Sequence, residues 1–213
     1  MRWQEFLNAV PSFSFLIPTA GRPVLKNCLQ SIVPQLREAD EVIVIGDTLD
    51  GNLSATEQLI KRYPGRVRYL TFKGQTHTWG HEQMNYGISH ATGDYLVFND
   101  DDDIWVPGMT RTLRSVTTEY PGQPLLFRYL GYFGYLSWVE KGLFQEGYVG
   151  GHSLVCPNNP EKLGTWTNRY EGDWDFVEQT VSFYDTLIWR DEVIAVARPD
   201  SAMVREIARI ATA

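Results

Sequence analysis

The sequence of 213 residues has little of three things: cysteine, clustered basic residues and long apolar segments. Its two cysteines, Cys28 and Cys156, lie far apart and form no CxxC motif, which favours two free thiols over one disulfide bridge. No stretch approaches the ~20 apolar residues that a membrane-spanning helix needs, so we expect no membrane span. The first ten residues also lack the basic segment and apolar core of a secretory leader. We therefore expect a cytoplasmic protein.

The charge of the chain argues against one class of function. The formal net charge is −7 at pH 7, and lysine and arginine are scattered without any basic run. Proteins that coat nucleic acids hold the phosphates through a basic face. We expect no strong non-specific nucleic-acid binding, although a nucleic-acid substrate held locally stays open.

Apolar runs alternate with helical patterns through the first half of the chain. The predicted strands are residues 13–17, 41–45, 67–72 and 94–98. The predicted helices between them are residues 24–33, 54–63 and 81–91. Ser54 and Glu57 form a capping-box pattern at the start of the second helix. This order implies a parallel sheet with right-handed crossovers.

The second half is less regular. Residues 125–155 are rich in aromatics and glycines and suggest short antiparallel strands, with a last strand at 193–197. Helices are predicted at 108–120, 174–183 and 201–212, the last with Ser201 as its N-cap. We therefore expect one domain over 1–213. Its parts are a nucleotide-binding half (12–107), a mixed half (108–200) and a C-terminal helix (201–213).

Four consecutive aspartates, Asp100 to Asp103, directly follow the predicted strand at 94–98. Their carboxylates repel one another, and a divalent cation offsets that cost. Mg²⁺ and Mn²⁺ prefer oxygen ligands and usually take one or two carboxylates plus substrate phosphates. Ligands of open α/β sheets gather at the carboxyl ends of strands, where this run lies. The alternative is a solvated acidic loop or an Asp-rich helix N-terminus.

Four segments occur in the order seen in family 2 glycosyltransferases of the GT-A fold. They are FSFLIPTAGRPVLKNCLQSI, EVIVIGDTLDG, MNYGISHATGDYLVFNDDDDIWVPG and EGDWDF. The resemblance covers roughly residues 12–183, and its most specific part is the strand followed by Asp-x-Asp. It implies an α/β fold of the GT-A type, in which helices flank a mostly parallel nucleotide-binding sheet and a mixed acceptor-side half follows.

The resemblance also implies which residues bind the donor. Pro18 and Thr19 end the first strand beside the nucleotide, and Asp47 resembles the carboxylate that hydrogen-bonds the donor base. Asn85 and Asp101 are further donor-binding candidates. From its residues alone, Asp47 fits a plain turn equally well, because Asp, Thr and a following Asp-Gly are common turn residues.

The chemistry is expected from three aspartates. Asp100, which would also contact the donor, and Asp102 resemble the metal-binding pair for Mn²⁺ or Mg²⁺. Asp173 matches the catalytic base, which takes the proton of the acceptor hydroxyl. A helix N-cap is the alternative role for Asp173, and Glu171 and Asp175 are fallback bases.

Three positions depart from the family pattern. Gly46 stands where the family often has the first Asp of a pair, and Met84 where it often has Arg or Lys. Gly172 replaces the usual Glu beside the base. Arg22 could contact the diphosphate or cover the surface, and the surface role is favoured. His152, beside Gly150 and Gly151, could line the acceptor site, but no histidine pair shows metal-ligand spacing, and an ordinary polar residue is favoured. The departures concern the identity of the donor more than the reaction.

The sequence thus predicts a metal-dependent, inverting glycosyltransferase that moves a sugar from a nucleotide-diphosphate sugar to an acceptor hydroxyl of unknown identity. One alternative is a nucleotidyltransferase, which would normally carry a Gly-rich phosphate loop with Lys or Arg after the first strand. IPTAGRP offers one Gly and one Arg there. The other alternative is a non-catalytic module that binds a nucleotide sugar.

Overall fold

The computed structural model describes residues 10–48, 53–74, 79–131, 136–137 and 140–205. The strands are β1 (Phe13–Thr19), β2 (Glu41–Asp47), β3 (Val67–Phe72), β4 (Tyr95–Phe98), β5 (Ile104–Trp105), β6 (Leu125–Leu130), β7 (Leu154–Pro157) and β8 (Ile188–Val196). The α-helices are α1 (Leu25–Ile32), α2 (Leu53–Ile60), α3 (His81–Ile88), α4 (Met109–Glu119) and α5 (Gly172–Ser182). Short 3₁₀ helices lie at Val33–Gln35, Gly151–Ser153 and Pro160–Lys162.

The strands form one sheet in the order β3-β2-β1-β4-β7-β6-β8-β5. Strands β3, β2, β1 and β4 run parallel to one another. Strand β7 is antiparallel to both β4 and β6, while β8 is parallel to β6 and antiparallel to β5. The α/β prediction with a mostly parallel first half is therefore confirmed. The carboxyl ends of β1, β2 and β4 meet at one edge of the sheet.

Helices cover both faces of the sheet. Every residue of β1 is buried. Phe13, Phe15 and Ile17 pack with α1, α2 and α4 on one face, while Leu16 packs with α3 and α5 on the other. Because both faces are covered, the first strands read as continuous apolar runs. Each fully buried large side chain contributes roughly 1.5–3 kcal/mol relative to an exposed one.

A buried ion pair ties α4 to the strands. The guanidinium of Arg114 donates to both carboxylate oxygens of Asp40, over 3.0 and 2.9 Å. Asp40 also accepts hydrogen bonds from the backbone N–H groups of Phe13 and Arg37. The Asp40 carboxylate thus links the start of β1, the loop before β2 and α4 through four hydrogen bonds.

Two predicted helix caps are wrong. Helix α2 begins at Leu53, so Ser54 lies inside its first turn and is not its N-cap. The helix after β8 is capped by Asp200, whose Oδ1 accepts hydrogen bonds from the N–H groups of Ala202 and Met203 at 2.8 Å. The structure describes this helix as far as residue 205, and the rest of the predicted segment lies outside the described residues.

Other boundaries shift because contacts distant in sequence decide them. Strand β8 begins at Ile188 instead of 193, since it pairs along β6 despite the charged residues in its first part. Strand β5 is too short to show a pattern. Cys28 and Cys156 are separate buried thiols, as expected. Among the described residues, no helix has the length and apolar character needed to cross a membrane.

Candidate active site

A cleft of about 720 Å³ opens at the edge of the sheet where β1, β2 and β4 end. Its walls come from these strand ends, the start of α3, residues 147–152 and the start of α5. Open α/β sheets bind ligands at this edge. Pro18, Thr19, Asp47, Asp100 and Asp173 all line the cleft, so the fold brings these five predicted site residues together.

A cluster of three titratable groups lies on the cleft wall. Nε2 of His152 is 3.2 Å from Oδ2 of Asp100 and 3.2 Å from Oδ2 of Asp103. Each of the three residues offers one metal-ligand atom, and these atoms lie within 4.8 Å of one another. His152 belongs to the 3₁₀ helix before β7, where its ring packs 5.2 Å from the ring of Tyr129. The expectation that His152 is an ordinary polar residue is wrong.

The electrostatics of this cluster are set by burial and by mutual charge. Burial raises the pKa of Asp103, and the hydrogen bond from His152 only partly offsets it. Burial also raises the pKa of Asp100, but the charge and hydrogen bond of His152 outweigh it and leave that pKa below its usual value. Burial lowers the pKa of His152, while both aspartates together raise it well above its usual value. The two carboxylates therefore favour the positively charged form of His152.

The other two aspartates of the run face two arginines. Asp101 is fully buried and accepts hydrogen bonds from Oγ1 of Thr19 and from Arg22. Oδ2 of Asp102 pairs with Arg22 at 2.7 Å and with Arg198 at 3.4 Å. Oδ1 of Asp102 is buried and has no hydrogen-bond partner among the described residues. Arg22 therefore does more than cover the surface, contrary to expectation.

The predicted metal pair is only partly reproduced in space. Asp100 lies in the cluster with Asp103 and His152, whereas Asp102 turns one oxygen to the arginines and leaves the other unpaired. Two carboxylates and one imidazole form a donor set that Mn²⁺ accepts, and the buried Oδ1 of Asp102 is a free acceptor in the same acidic run. Mg²⁺ fits this set less well, because its protein ligands are oxygens.

Asp47 lies at the end of β2 and is 4% exposed. Its Oδ2 accepts a hydrogen bond of 3.1 Å from Nε2 of Gln83 on α3. A Cβ at the preceding Gly46 would come within 2.3 Å of the hydroxyl oxygen of Tyr69, so a larger residue there would require the Tyr69 side chain to move.

Asn85 has a different place from the predicted donor contacts. Its side-chain amide donates to the backbone oxygen of Trp166 at 2.8 Å and accepts from the backbone N–H of Trp166 at 3.1 Å. Trp166 lines the cleft, so Asn85 positions the wall behind it. Met84, where the family often has Arg or Lys, is buried in the apolar cluster under α3. Among the described residues, the arginines that line the cleft are Arg22 and Arg198.

Asp173 is the second residue of α5, and its carboxylate faces Gly150 and Gly151. Oδ2 accepts a hydrogen bond of 3.3 Å from the N–H of Gly151, and Oδ1 accepts from the N–H of Trp174 at 2.8 Å. Glu171 occupies the N-cap position of this helix, so the N-cap interpretation of Asp173 is wrong. No ion pair joins Asp173 to any residue in the described part of the chain.

The two fallback bases are held by one arginine. Nε and Nη2 of Arg169 donate to Asp175, and Nη1 donates to Glu171 at 3.2 Å and to Glu146 at 2.7 Å. The hydrogen bonds from Arg169 keep the pKa of Asp175 below its usual value despite some burial. A carboxylate bound in this way is a poor proton acceptor. Asp173 therefore differs from both neighbours.

Gly172 fits the start of α5 closely. A Cβ there would lie 2.1 Å from the backbone oxygen of Thr167 and 2.6 Å from Nδ1 of His81. The same Nδ1 is 2.8 Å from the oxygen of Thr167. The Glu that the family usually carries beside the base cannot stand here without moving this contact, which explains another departure.

Sequence reasoning missed Arg198, did not single out Asp103 within the acidic run, and favoured roles outside the site for Arg22 and His152. Only the glycine pair before His152 hinted at a functional loop. Arg198 has a left-handed backbone with φ 47°, and its N–H donates to Oδ1 of Asp103 at 3.1 Å, but neither feature is visible in the sequence. These residues meet through the order of the strands.

The fold and the cleft together define a glycosyltransferase-like α/β domain. The sequence model of "Glycosyl transferase family 2" matches residues 14–121, and the chain belongs to that family. The "Uncharacterized glycosyltransferase YibD" of Escherichia coli is 30% identical over 115 residues, which are 53% of this chain and 32% of that protein. A Campylobacter jejuni protein named "GalNAc(5)-diNAcBac-PP-undecaprenol beta-1,3-glucosyltransferase" is 30% identical over 112 residues, 52% of this chain and 36% of that protein. The matched part spans about a third of these relatives.

Solved structures confirm the GT-A type of the fold. Staphylococcus aureus TarS has a TM-score of 0.72 at 14% identity, covering 94% of this chain and 39% of that one. The "Mannosyltransferase PcManGT from Pyrobaculum calidifontis in complex with GDP-Man and Mn2+" has a TM-score of 0.65 at 18% identity. That match covers 92% of this chain and 60% of PcManGT.

Proposed function

We propose that this chain is a metal-dependent, inverting glycosyltransferase that moves a sugar from a nucleotide-diphosphate sugar to an acceptor hydroxyl. The observation that carries the proposal is that one cleft is lined by Asp47, by Asp100 and His152 of the acidic cluster, and by Asp173, whose carboxylate makes no ion pair with the described residues. Asp47 is assigned to nucleoside binding, the acidic cluster to diphosphate binding, and Asp173 to removal of the acceptor proton.

The nucleoside end of the donor is assigned to Asp47. Its carboxylate is fixed at the end of β2 by Gln83, so it can accept a hydrogen bond from an N–H of the base without further ordering. TarS has been solved with UDP-GlcNAc and PcManGT with GDP-Man, which makes uridine and guanosine diphosphate sugars the first donors to test.

The diphosphate end is assigned to the acidic cluster. Asp100, Asp103 and His152 would hold Mn²⁺, with Oδ1 of Asp102 as a further ligand. A cation there supplies Lewis-acid stabilisation of the departing diphosphate. Arg22 and Arg198 line the same cleft and orient Asp102 through their ion pairs.

Asp173 is assigned as the general base. The acceptor oxygen bonds to the anomeric carbon as the bond from that carbon to the diphosphate oxygen breaks, and the hydroxyl proton passes to a carboxylate oxygen of Asp173. The N–H groups of Gly151 and Trp174 hold that carboxylate in place. Because Arg169 binds Asp175 and Glu171, Asp173 alone among the three is left for proton transfer, and a single displacement inverts the anomeric centre.

The proposal is tested by donor hydrolysis, which many transferases perform slowly with water as acceptor. We expect release of nucleoside diphosphate and free sugar from at least one of UDP-glucose, UDP-galactose, UDP-GlcNAc and GDP-mannose when Mn²⁺ is present. Addition of EDTA should abolish it. Nucleotide binding without any hydrolysis would favour a binding module. Release of pyrophosphate from UTP or GTP mixed with a sugar 1-phosphate, measured in a parallel assay, would favour a nucleotidyltransferase.

A further inference from the structure

Two exposed aromatic rings stand at the rim of the cleft. Trp79 is 55% exposed and Tyr170 is 73% exposed, and both line the cleft. Their ring centroids are 6.1 Å apart, with the planes at 85°. None of the steps assigned to the donor or to Asp173 uses these rings. Large aromatic side chains exposed together usually mark a contact surface.

The backbone holds Trp79 in this position at some cost. Its φ is 50°, in the left-handed region that a bulky residue rarely adopts. Gly80 follows with φ 85°, and a Cβ there would lie 3.0 Å from Pro18. The backbone at Gly80 therefore packs closely against Pro18 at the end of β1, while the side chain of Trp79 is exposed. Strained residues of this kind concentrate at ligand sites.

The two rings are joined to the start of α5, which carries Asp173. The ring of Trp79 is 6.1 Å from the ring of His81, whose Nδ1 contacts the backbone oxygen of Thr167. Tyr170 directly precedes Glu171, and both line the cleft with Asp173. The surface thus combines exposed aromatic faces with carboxylates that accept hydrogen bonds.

A sugar ring has the matching chemistry. Its axial C–H groups form an apolar face that packs against an aromatic ring, whose π face is negative. Its equatorial hydroxyls donate hydrogen bonds to carboxylates at the edge of that ring. A phosphate group or an acidic peptide would instead be repelled by Glu171 and Asp173.

We propose that Trp79 and Tyr170 form an acceptor subsite that binds a saccharide ring and presents one of its hydroxyls to Asp173. The acceptor is then a carbohydrate. This inference rests on the proposed function, because it places the acceptor by the base. The nucleoside of the donor is assigned to the end of β2 at Asp47, and no part of the donor is assigned to the two rings.

The experiment measures saccharide binding by saturation-transfer NMR, with UDP or GDP and Mn²⁺ present. The probes are methyl glycosides and tetrasaccharides of glucose, galactose, mannose and N-acetylglucosamine. The variants are Trp79→Ala and Tyr170→Ala, with Trp79→Phe and Tyr170→Phe as conservative variants. Phe183→Ala is the matched control, because Phe183 is 48% exposed at the end of α5 and is not among the cleft residues.

We expect saturation of ring C–H protons in at least one saccharide. Each alanine variant should weaken its affinity by about tenfold, and the phenylalanine variants should keep most of it. Nucleotide affinity should stay unchanged throughout. Binding of no saccharide, or binding that both alanine variants leave intact, would overturn the proposal. Loss of nucleotide affinity in Trp79→Ala would overturn it too, because the ring would then stack on the donor base.

Donor hydrolysis on the same preparations separates this inference from the proposed function. Hydrolysis by a protein that binds no saccharide contradicts only the acceptor subsite. Saccharide binding by a protein that hydrolyses no donor contradicts the transferase assignment and with it the acceptor role, and leaves the two rings as a saccharide-binding surface.

Discussion

Nε2 of His152 lies 3.2 Å from Oδ2 of Asp100, although 52 residues separate the two in the chain. Strand β7, which follows the 3₁₀ helix of His152, pairs with β4, which precedes Asp100. The pairing of these two strands therefore creates the cluster. A residue with no recognisable ligand spacing becomes the third member of a candidate metal site through sheet order alone.

Replacement of His152 by Ala should weaken Mn²⁺-dependent binding of UDP or GDP by at least the roughly 10–100-fold typical of changes around a metal site. The reason is the loss of a ligand and of the group that orients Asp100. Calorimetry with and without EDTA measures the effect. His90→Gln is the control, since the His90 ring contacts Tyr86 and Ser89 at the end of α3 and does not line the cleft. Equal affinity in His152→Ala would remove His152 from the metal site.

Asp47→Ala should weaken nucleotide binding by roughly 1–3 kcal/mol, the cost of one lost hydrogen bond to a charged group. The fold should hold, because Asp47 ends its strand and Gln83 can turn to solvent in the opened cleft. Isothermal titration and a melting curve on one preparation measure both quantities. A lower melting temperature with unchanged nucleotide affinity would assign Asp47 to a turn instead of to the base.

Arg114→Leu should lower the free energy of unfolding by about 3–5 kcal/mol, because it leaves the buried carboxylate of Asp40 without its cation. The matched variant Arg190→Ala breaks an exposed pair with Glu192 and should cost no more than about 1 kcal/mol. Urea unfolding measures both. Equal losses in the two variants would show that burial of the Asp40 pair adds nothing.

Glu41 predicts a pH-dependent part of the stability. Burial raises its pKa, but hydrogen bonds from Ser14, Thr92 and Arg68 outweigh burial and leave the pKa below its ordinary value of 4.5. A carboxylate with a lowered folded-state pKa stabilises the fold above its unfolded-state pKa, and this contribution disappears as the pH falls through the folded-state value. The unfolding free energy of the wild type should therefore fall more steeply below pH 4.5 than that of Glu41→Gln. Parallel curves would contradict this.

The sequence predicts the elements that local patterns control. Strand β2 is a run of β-branched residues, and its type is visible because helices cover both faces of the sheet. The sequence predicts too short a strand for β8, because the charged residues Arg190, Asp191 and Glu192 break the apolar pattern while the strand still pairs with β6. Asp173 could be found from its motif. That Asp173 makes no ion pair with the described residues could not, because this depends on Arg169, which pairs with Asp175 and Glu171 instead.

The central claim is that Asp173 takes the acceptor proton. Asp173→Asn keeps the shape of the side chain and can keep one of its two hydrogen bonds, from Gly151 or from Trp174, so the fold should hold and donor affinity should be nearly unchanged. Glu171→Gln is the matched variant, since it removes a neighbouring carboxylate that Arg169 already holds. The decisive measurement is the rate of donor hydrolysis, with donor affinity and melting temperature determined on the same preparations. We predict a loss of roughly 10²–10⁴-fold for Asp173→Asn and a near-normal rate for Glu171→Gln. A near wild-type rate in Asp173→Asn would contradict the account.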